Sequence, residues 1–148
     1  MMHVTLIACG RLKENYLKEA VAEYSKRLQG YVMLKVKELA DGPDKEAEAA
    51  RISQAMPSDA FVITLEIEGR ELASEEFAHS LEKLMTDGIS HVCFIIGGSE
   101  GLSDEIKNKA SMHLSFSKLT FPHQLMRVIF LEQLYRAFKI MKGEPYHK

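Results

Sequence analysis

Three short stretches of this chain have the residue types needed to hold a small polar ligand against a backbone. The first is the end of the run Ala60-Phe-Val-Ile-Thr-Leu-Glu-Ile67, around Leu65. The second is Gly97-Gly-Ser-Glu-Gly101, and the third is Phe116-Ser-Lys-Leu-Thr-Phe121. Adjacent glycines after a buried strand allow positive φ and let a ligand approach N–H and C=O groups, which can read an adenine or a carboxylate. A structural turn explains the same glycines without a ligand, and Ser115, Ser117 and Thr120 are equally explained as loop hydroxyls satisfying their own backbone. Further on, Glu132 and Arg136 stand four residues apart, the spacing of an ion pair on one helix face. The chain closes on Pro145-Tyr-His-Lys148, where an aromatic ring, an imidazole and a cation adjoin.

Other chemistries lack their signatures. The glycine stretch is not G-x-G-x-x-G, and there is no G-x-x-x-x-G-K-[ST], H-E-x-x-H or C-x-x-C. Gly98-Ser-Glu-Gly101 is not the G-x-S-x-G of a nucleophile elbow. No metal site is expected, because the histidines at 3, 79, 91, 113, 123 and 147 are scattered. Cys9 and Cys93 lie inside apolar runs and read as buried small hydrophobes rather than metal or redox groups.

The elements that must position these residues alternate in type. Near-continuous apolar runs at Val4 to Cys9, Ala60 to Ile67 and His91 to Ile96 predict strands buried on both faces of a sheet. Tyr31 to Leu39 alternates as a half-exposed strand, and a short fifth strand is expected at His113 to Phe116. Between them, Tyr16, Leu17, Ala20, Val21, Tyr24 and Leu28 mark one face of a helix over Lys13 to Gln29. A second helix is expected over Asp44 to Met56, and Gly69-Arg70 reads as a turn. A third helix begins at Ser74 as N-cap and ends near Gly88, and a fourth starts at Ser103. The last runs from His123 to Met141, with Pro122 pre-setting its first turn. Its apolar residues cover more than one core can take, which predicts packing on a second copy as well. The expected class is α/β with a mainly parallel sheet, as one domain over residues 1–148.

The bulk numbers fit a soluble globule: 46% apolar, 27% charged and a net charge of -2. That balance argues against a general nucleic-acid coat protein. Nothing approaches a membrane span, and Met-Met-His-Val-Thr-Leu reads as a strand rather than a signal peptide, so a cytoplasmic location is expected. The charge is uneven. Acids dominate Glu38 to Glu76, whereas Lys118, Arg127, Arg136, Lys139, Lys142 and Lys148 face only Glu132 and Glu144, so a local basic surface for a polyanion is one reading and a solvated surface the other.

Phe94-Ile-Ile-Gly-Gly-Ser-Glu-Gly-Leu102, Ser115 to Val128, Leu131-Glu-Gln-Leu-Tyr-Arg-Ala-Phe-Lys139 and Gly143-Glu-Pro-Tyr-His-Lys148 together resemble the bacterial ribosomal RNA large subunit methyltransferase H family, of the SPOUT class. Ile7 to Lys13 and Val62 to Gly69 agree as well. The resemblance implies a C-terminal trefoil knot, a homodimer, S-adenosyl-L-methionine (AdoMet) as methyl donor, and N3-methylation of a pseudouridine in a 23S rRNA hairpin of the assembled ribosome. Carried over by motif, the donor contacts fall on Leu65, Gly97, Phe116, Ser117, Lys118, Leu119, Thr120 and Phe121. The catalytic side falls on Glu132, Arg136, Tyr146, His147 and Lys148, reaching into the partner subunit's pocket. His147 would take the N3 proton or, alternatively, bind and orient RNA. Arg136 or Lys148 would offset charge on the ring or hold a phosphate, and Tyr146 would stack on the base. Family members carry a longer charged insert where this chain has only Leu39-Ala-Asp-Gly-Pro-Asp-Lys45. A ribosome-binding factor without a donor, and a SPOUT enzyme acting on tRNA, are the rival readings.

Overall fold

The computed structural model describes residues 1–148. Five strands form one sheet: β1 (Met2–Cys9), β2 (Val32–Leu39), β3 (Phe61–Glu71), β4 (His91–Ile96) and β5 (Met112–Ser115). Their spatial order is β2-β1-β4-β3-β5, and every ladder is parallel. Parallel neighbours need crossovers, which are supplied by α1 (Asn15–Leu28), α2 (Lys45–Ala55), α3 (Ser74–Thr86) and α4 (Asp104–Lys109), with α5 (His123–Met141) closing the fold. One face of the sheet buries Leu6, Ile63 and Phe94 with Leu28, Phe77, Leu81 and Phe130, from α1, α3 and α5. The other buries Ile7, Val62, Cys93 and Ile95 with Ile52 and Ile106, from α2 and α4. Strands covered on both faces have no polar side, hence the uninterrupted apolar runs. Burial also raises the thiol pKa of Cys9 to about 11 and of Cys93 to about 12, leaving both protonated and inert.

Several local expectations are corrected. Gly69 and Arg70 do not turn the chain, because β3 continues to Glu71 past an irregularity after Leu65, and Leu114 of β5 pairs with both Leu65 and Arg70. Gly69 is needed there for space: a Cβ would lie 2.6 Å from the Leu114 carbonyl carbon. Ser74 is the first helical residue of α3, not its cap. Ala73 takes that place, its N–H donating to Glu76 Oε1 at 2.8 Å, while Ser74 Oγ donates to Gln133 Oε1 of α5 at 2.7 Å. Tyr16, expected on the inner face of α1, is exposed. Pro122 precedes the first turn of α5 with ψ of 132° rather than lying within it.

Candidate active site

The carboxyl ends of β4 and β5 finish beside the irregular middle of β3, with Leu65 in register with Ile96 on one flank and Leu114 on the other. Open α/β sheets bind ligands at this edge. The loops beyond these ends enclose a cavity of about 760 Å³, inside the range of small-molecule sites, about 300–1,000 Å³. Leu65, Gly97, Phe116, Ser117, Leu119, Thr120 and Phe121 all line it. Lys118 does not; its side chain is exposed away from the lining.

Packing fixes the shape of these loops. Phe116 sits between Phe77 and Phe130, with ring centroids 6.1 and 6.3 Å away, so the loop after β5 is anchored to α3 and α5. Ser115 Oγ donates to the Ser117 carbonyl at 3.0 Å, and Ser117 Oγ accepts from the Leu119 N–H at 2.9 Å. These hydroxyls therefore hold the loop in shape, and Leu119 is left exposed at the rim. Positive φ falls on Gly101, at 80°, and not on the Gly97-Gly98 pair where it was expected. Gly97 serves by close approach: a Cβ would stand 2.8 Å from both the carbonyl carbon and oxygen of Gly101. The bare backbone of this tight loop is thereby presented to the cavity.

Glu66 is among the lining residues that the sequence does not single out. It directly follows Leu65, and its side chain is 8% exposed. Thr64 Oγ1 donates to Glu66 Oε2 at 2.5 Å, His113 Nδ1 lies 2.6 Å from the same oxygen, and Lys107 Nζ is 3.5 Å from Oε1. Burial would raise its pKa, but the bonds from Thr64 and His113 and the charge of Lys107 outweigh it and hold the carboxyl below its ordinary value. The available signal was an acid interrupting an apolar strand at its ligand-facing end.

Glu132, Arg136, Tyr146 and His147 form a second cluster, and none of them, nor Lys148, lines the cavity of their own chain. Glu132 Oε2 accepts from Arg136 Nη2 and from Tyr146 Oη, both at 2.7 Å. The Arg136 guanidinium lies 4.8 Å from the Tyr146 ring centroid. Burial, then the bond to Glu132, pushes the Tyr146 phenol well above its ordinary value, so it stays neutral. Arg136 Nη1 is 2.9 Å from His147 Nδ1, and His147 Nε2 bonds Glu75 Oε1. A guanidinium only donates, so Nδ1 must accept and Nε2 must carry the proton. His147 is thus a neutral tautomer with both nitrogens engaged. Lys148 is exposed beside the cluster.

Of the two readings of the C-terminal cations, a basic surface and a merely solvated one, the first loses half of its members to internal pairing. Arg127 is buried, its Nη2 donating to the Cys9 carbonyl at 2.7 Å and its Nη1 to Glu38 Oε2 at 3.0 Å. Arg136 is paired with Glu132, and Lys139 lies 3.7 Å from Glu144. Lys118, Lys142 and Lys148 remain exposed.

A family described as predicted SPOUT methyltransferase matches residues 2–147. Proteins named ribosomal RNA large subunit methyltransferase H, from Bacillus pumilus (strain SAFR-032) and Bacillus thuringiensis (strain Al Hakam), are each 50% identical over 159 aligned positions, covering 99% of this chain and all of the relative. That alignment is longer than the 148-residue chain, so the relatives carry residues this chain lacks. Among solved structures, one described as a probable methylase family protein from Haemophilus influenzae Rd KW20 shares the fold, with a TM-score of 0.57 and 13% identity over 99% of this chain and 70% of that one.

Proposed function

Because the chain belongs to the SPOUT methyltransferase family, we propose that it is the AdoMet-dependent enzyme that methylates N3 of a pseudouridine in a 23S rRNA hairpin of the assembled ribosome, in the cytoplasm. The observation that carries the reading is one cavity at the carboxyl ends of β4 and β5 beside the middle of β3, lined by seven of the eight residues that the resemblance assigns to the donor. Its lining suits AdoMet: apolar walls from Leu65, Ile96, Leu102 and Phe116, charged groups at Glu66, Lys45 and Lys107, and bare backbone at Gly97. The knot belongs to the same proposal and rests on membership of the family.

When bound, AdoMet supplies an electrophilic methyl group on a sulfonium sulfur, so the protein's work is alignment and a nucleophile with a free lone pair. N3 of the acceptor ring sits between two carbonyls and must lose its proton at or before transfer. Arg136 is permanently cationic and held by Glu132 and His147, which suits it to offset charge building on those carbonyls. Tyr146 offers a neutral aromatic face to a base, and exposed Lys148 a charge for a phosphate. His147 Nδ1 is engaged by Arg136, so its role here is to orient that guanidinium rather than to take the proton.

A homodimer brings the two clusters together. Leu125 is 37% exposed beside cavity-lining Met126, and Val128, Ile129, Glu132 and Arg136 continue the same half-exposed stripe along α5. At 1.5 Å per residue, Arg136 lies roughly 20 Å along the helix from His123 at the cavity. Two such stripes packed antiparallel about a two-fold axis would set each tail cluster over the partner's cavity. The test is incubation of the protein with labelled AdoMet and ribosomes lacking the modification. One methyl on a 23S pseudouridine, with naked rRNA a poor substrate, is expected. AdoMet binding without transfer to ribosomes would overturn the assignment of substrate, and absence of AdoMet binding would overturn the enzyme itself.

A further inference from the structure

Of the three carboxylates lining the cavity, Glu66, Glu68 and Glu100, Glu66 is the one held by hydrogen bonds from neighbouring side chains. It lies within the long β3 strand just after Leu65, and Thr64, two residues back, bonds it at 2.5 Å. His113 of β5, adjacent in the ladder to Thr64, bonds the same oxygen, its Nδ1 also 2.8 Å from Thr64 Oγ1. With Oε2 occupied twice, the carboxylate cannot rotate freely. Its other oxygen, Oε1, has Lys107 at 3.5 Å, beyond a short charge-assisted bond, and both residues line the cavity. An ionised group is thus kept where 8% of its side-chain surface remains open. Burying a charge this way is costly unless a partner completes it, and Oε1 still has lone pairs to offer.

We propose that Glu66 is a donor-binding residue whose Oε1 accepts hydrogen bonds from the ribose hydroxyls of the nucleoside in this cavity. The proposal rests on the reading of the cavity as the AdoMet site and names a contact that reading does not include. Three groups on such a donor could satisfy a carboxylate: the ribose diol, the adenine amino group and the amino-acid ammonium. Lys107 disfavours the ammonium, because a second cation near Oε1 would be repelled by the first, and of the two neutral groups the vicinal diol brings two donors to one carboxylate oxygen where the amino group brings one. Carboxylates also recognise ribose hydroxyls at the same edge of other open α/β sheets. Thr64 and His113 are then positioning residues: they hold Oε2 so that Oε1 stays aimed.

The experiment is calorimetric titration of the full-length protein and of Glu66→Gln with S-adenosylhomocysteine and with its 2′-deoxy and 3′-deoxy analogues. Wild type should bind the parent ligand and lose about tenfold or more in affinity for at least one deoxy analogue, the worth of a hydrogen bond to a charged group. Glu66→Gln should bind the parent about tenfold more weakly and show little further loss with that same analogue. A purely structural Glu66 would weaken all three ligands in the wild-type ratio, and that result would overturn the proposal. Wild type alone suffices if the variant does not fold, because equal affinity for all three ligands also overturns it. Should wild type fail to bind the parent ligand, the donor-site reading falls first and this contact with it.

Discussion

His147 is where residue chemistry and residue position pull apart. An imidazole beside a substrate invites the role of base, yet here its lone pair accepts from Arg136 and its N–H is spent on Glu75. To take a proton it would have to release a guanidinium that Glu132 also holds, at 2.7 Å. Orientation is the lighter demand and the one the geometry meets. Single-turnover methylation by His147→Ala should therefore fall about tenfold, the scale of losing one orienting hydrogen bond, while its dependence on pH keeps the wild-type shape. Loss of the acidic limb in the variant would make His147 the base after all. Arg136→Ala should fall much further, about a hundredfold or more, if its charge faces the developing anion as proposed.

At the level of elements, what was readable in the sequence depended on how local the cause was. The bounds of α5 follow from a run without Gly or Pro between Pro122 and Gly143, and the observed helix, His123–Met141, matches them. The strands follow from apolar runs, and two of the three cavity-lining stretches are loops where β4 and β5 stop, whereas the third, at Leu65, lies inside β3, which runs on to Glu71. Contacts between distant residues left no such trace. Gly69 reads as a turn residue because nothing near it reveals that the Leu114 backbone will press against it. Glu66 reads as one more strand acid until His113, 47 residues on, closes over it. Arg127 reads as a surface cation on α5, but Glu38 and the Cys9 carbonyl draw it into the core between α5 and the ends of β1 and β2. Its pKa is lowered by burial, against the pull of Glu38. Breaking a buried pair is costly, and Arg127→Ala should lower the unfolding free energy by about 3 kcal/mol in urea. That is the low end for such pairs, because Glu38 is 37% exposed and water can take over its side. Arg127→Met, which keeps the packing volume, should recover part of the loss; a surface-like change under 0.5 kcal/mol, roughly, would mean the pair does not tie α5 to the sheet.

The whole molecule poses the question of how a chain of 148 residues with net charge -2 handles a polyanionic substrate. Half of its six C-terminal cations are spent internally, and within one chain the tail cluster and the donor cavity do not meet. A dimer resolves both difficulties if each site draws its cavity from one subunit and its Arg136, Tyr146 and Lys148 from the other. That arrangement makes a demand no single-chain site makes: two differently damaged subunits must repair each other. Gly97→Val spoils only the cavity, since its Cβ falls 2.8 Å from the Gly101 backbone, and Arg136→Ala spoils only the tail. Each homodimer should be inactive. Co-expressed in equal amounts, half the dimers should be mixed, and each of those should hold one site with an intact cavity and an intact tail, giving about a quarter of wild-type activity. Sites built within one subunit would give none, because in the mixed dimer every chain carries its own defect.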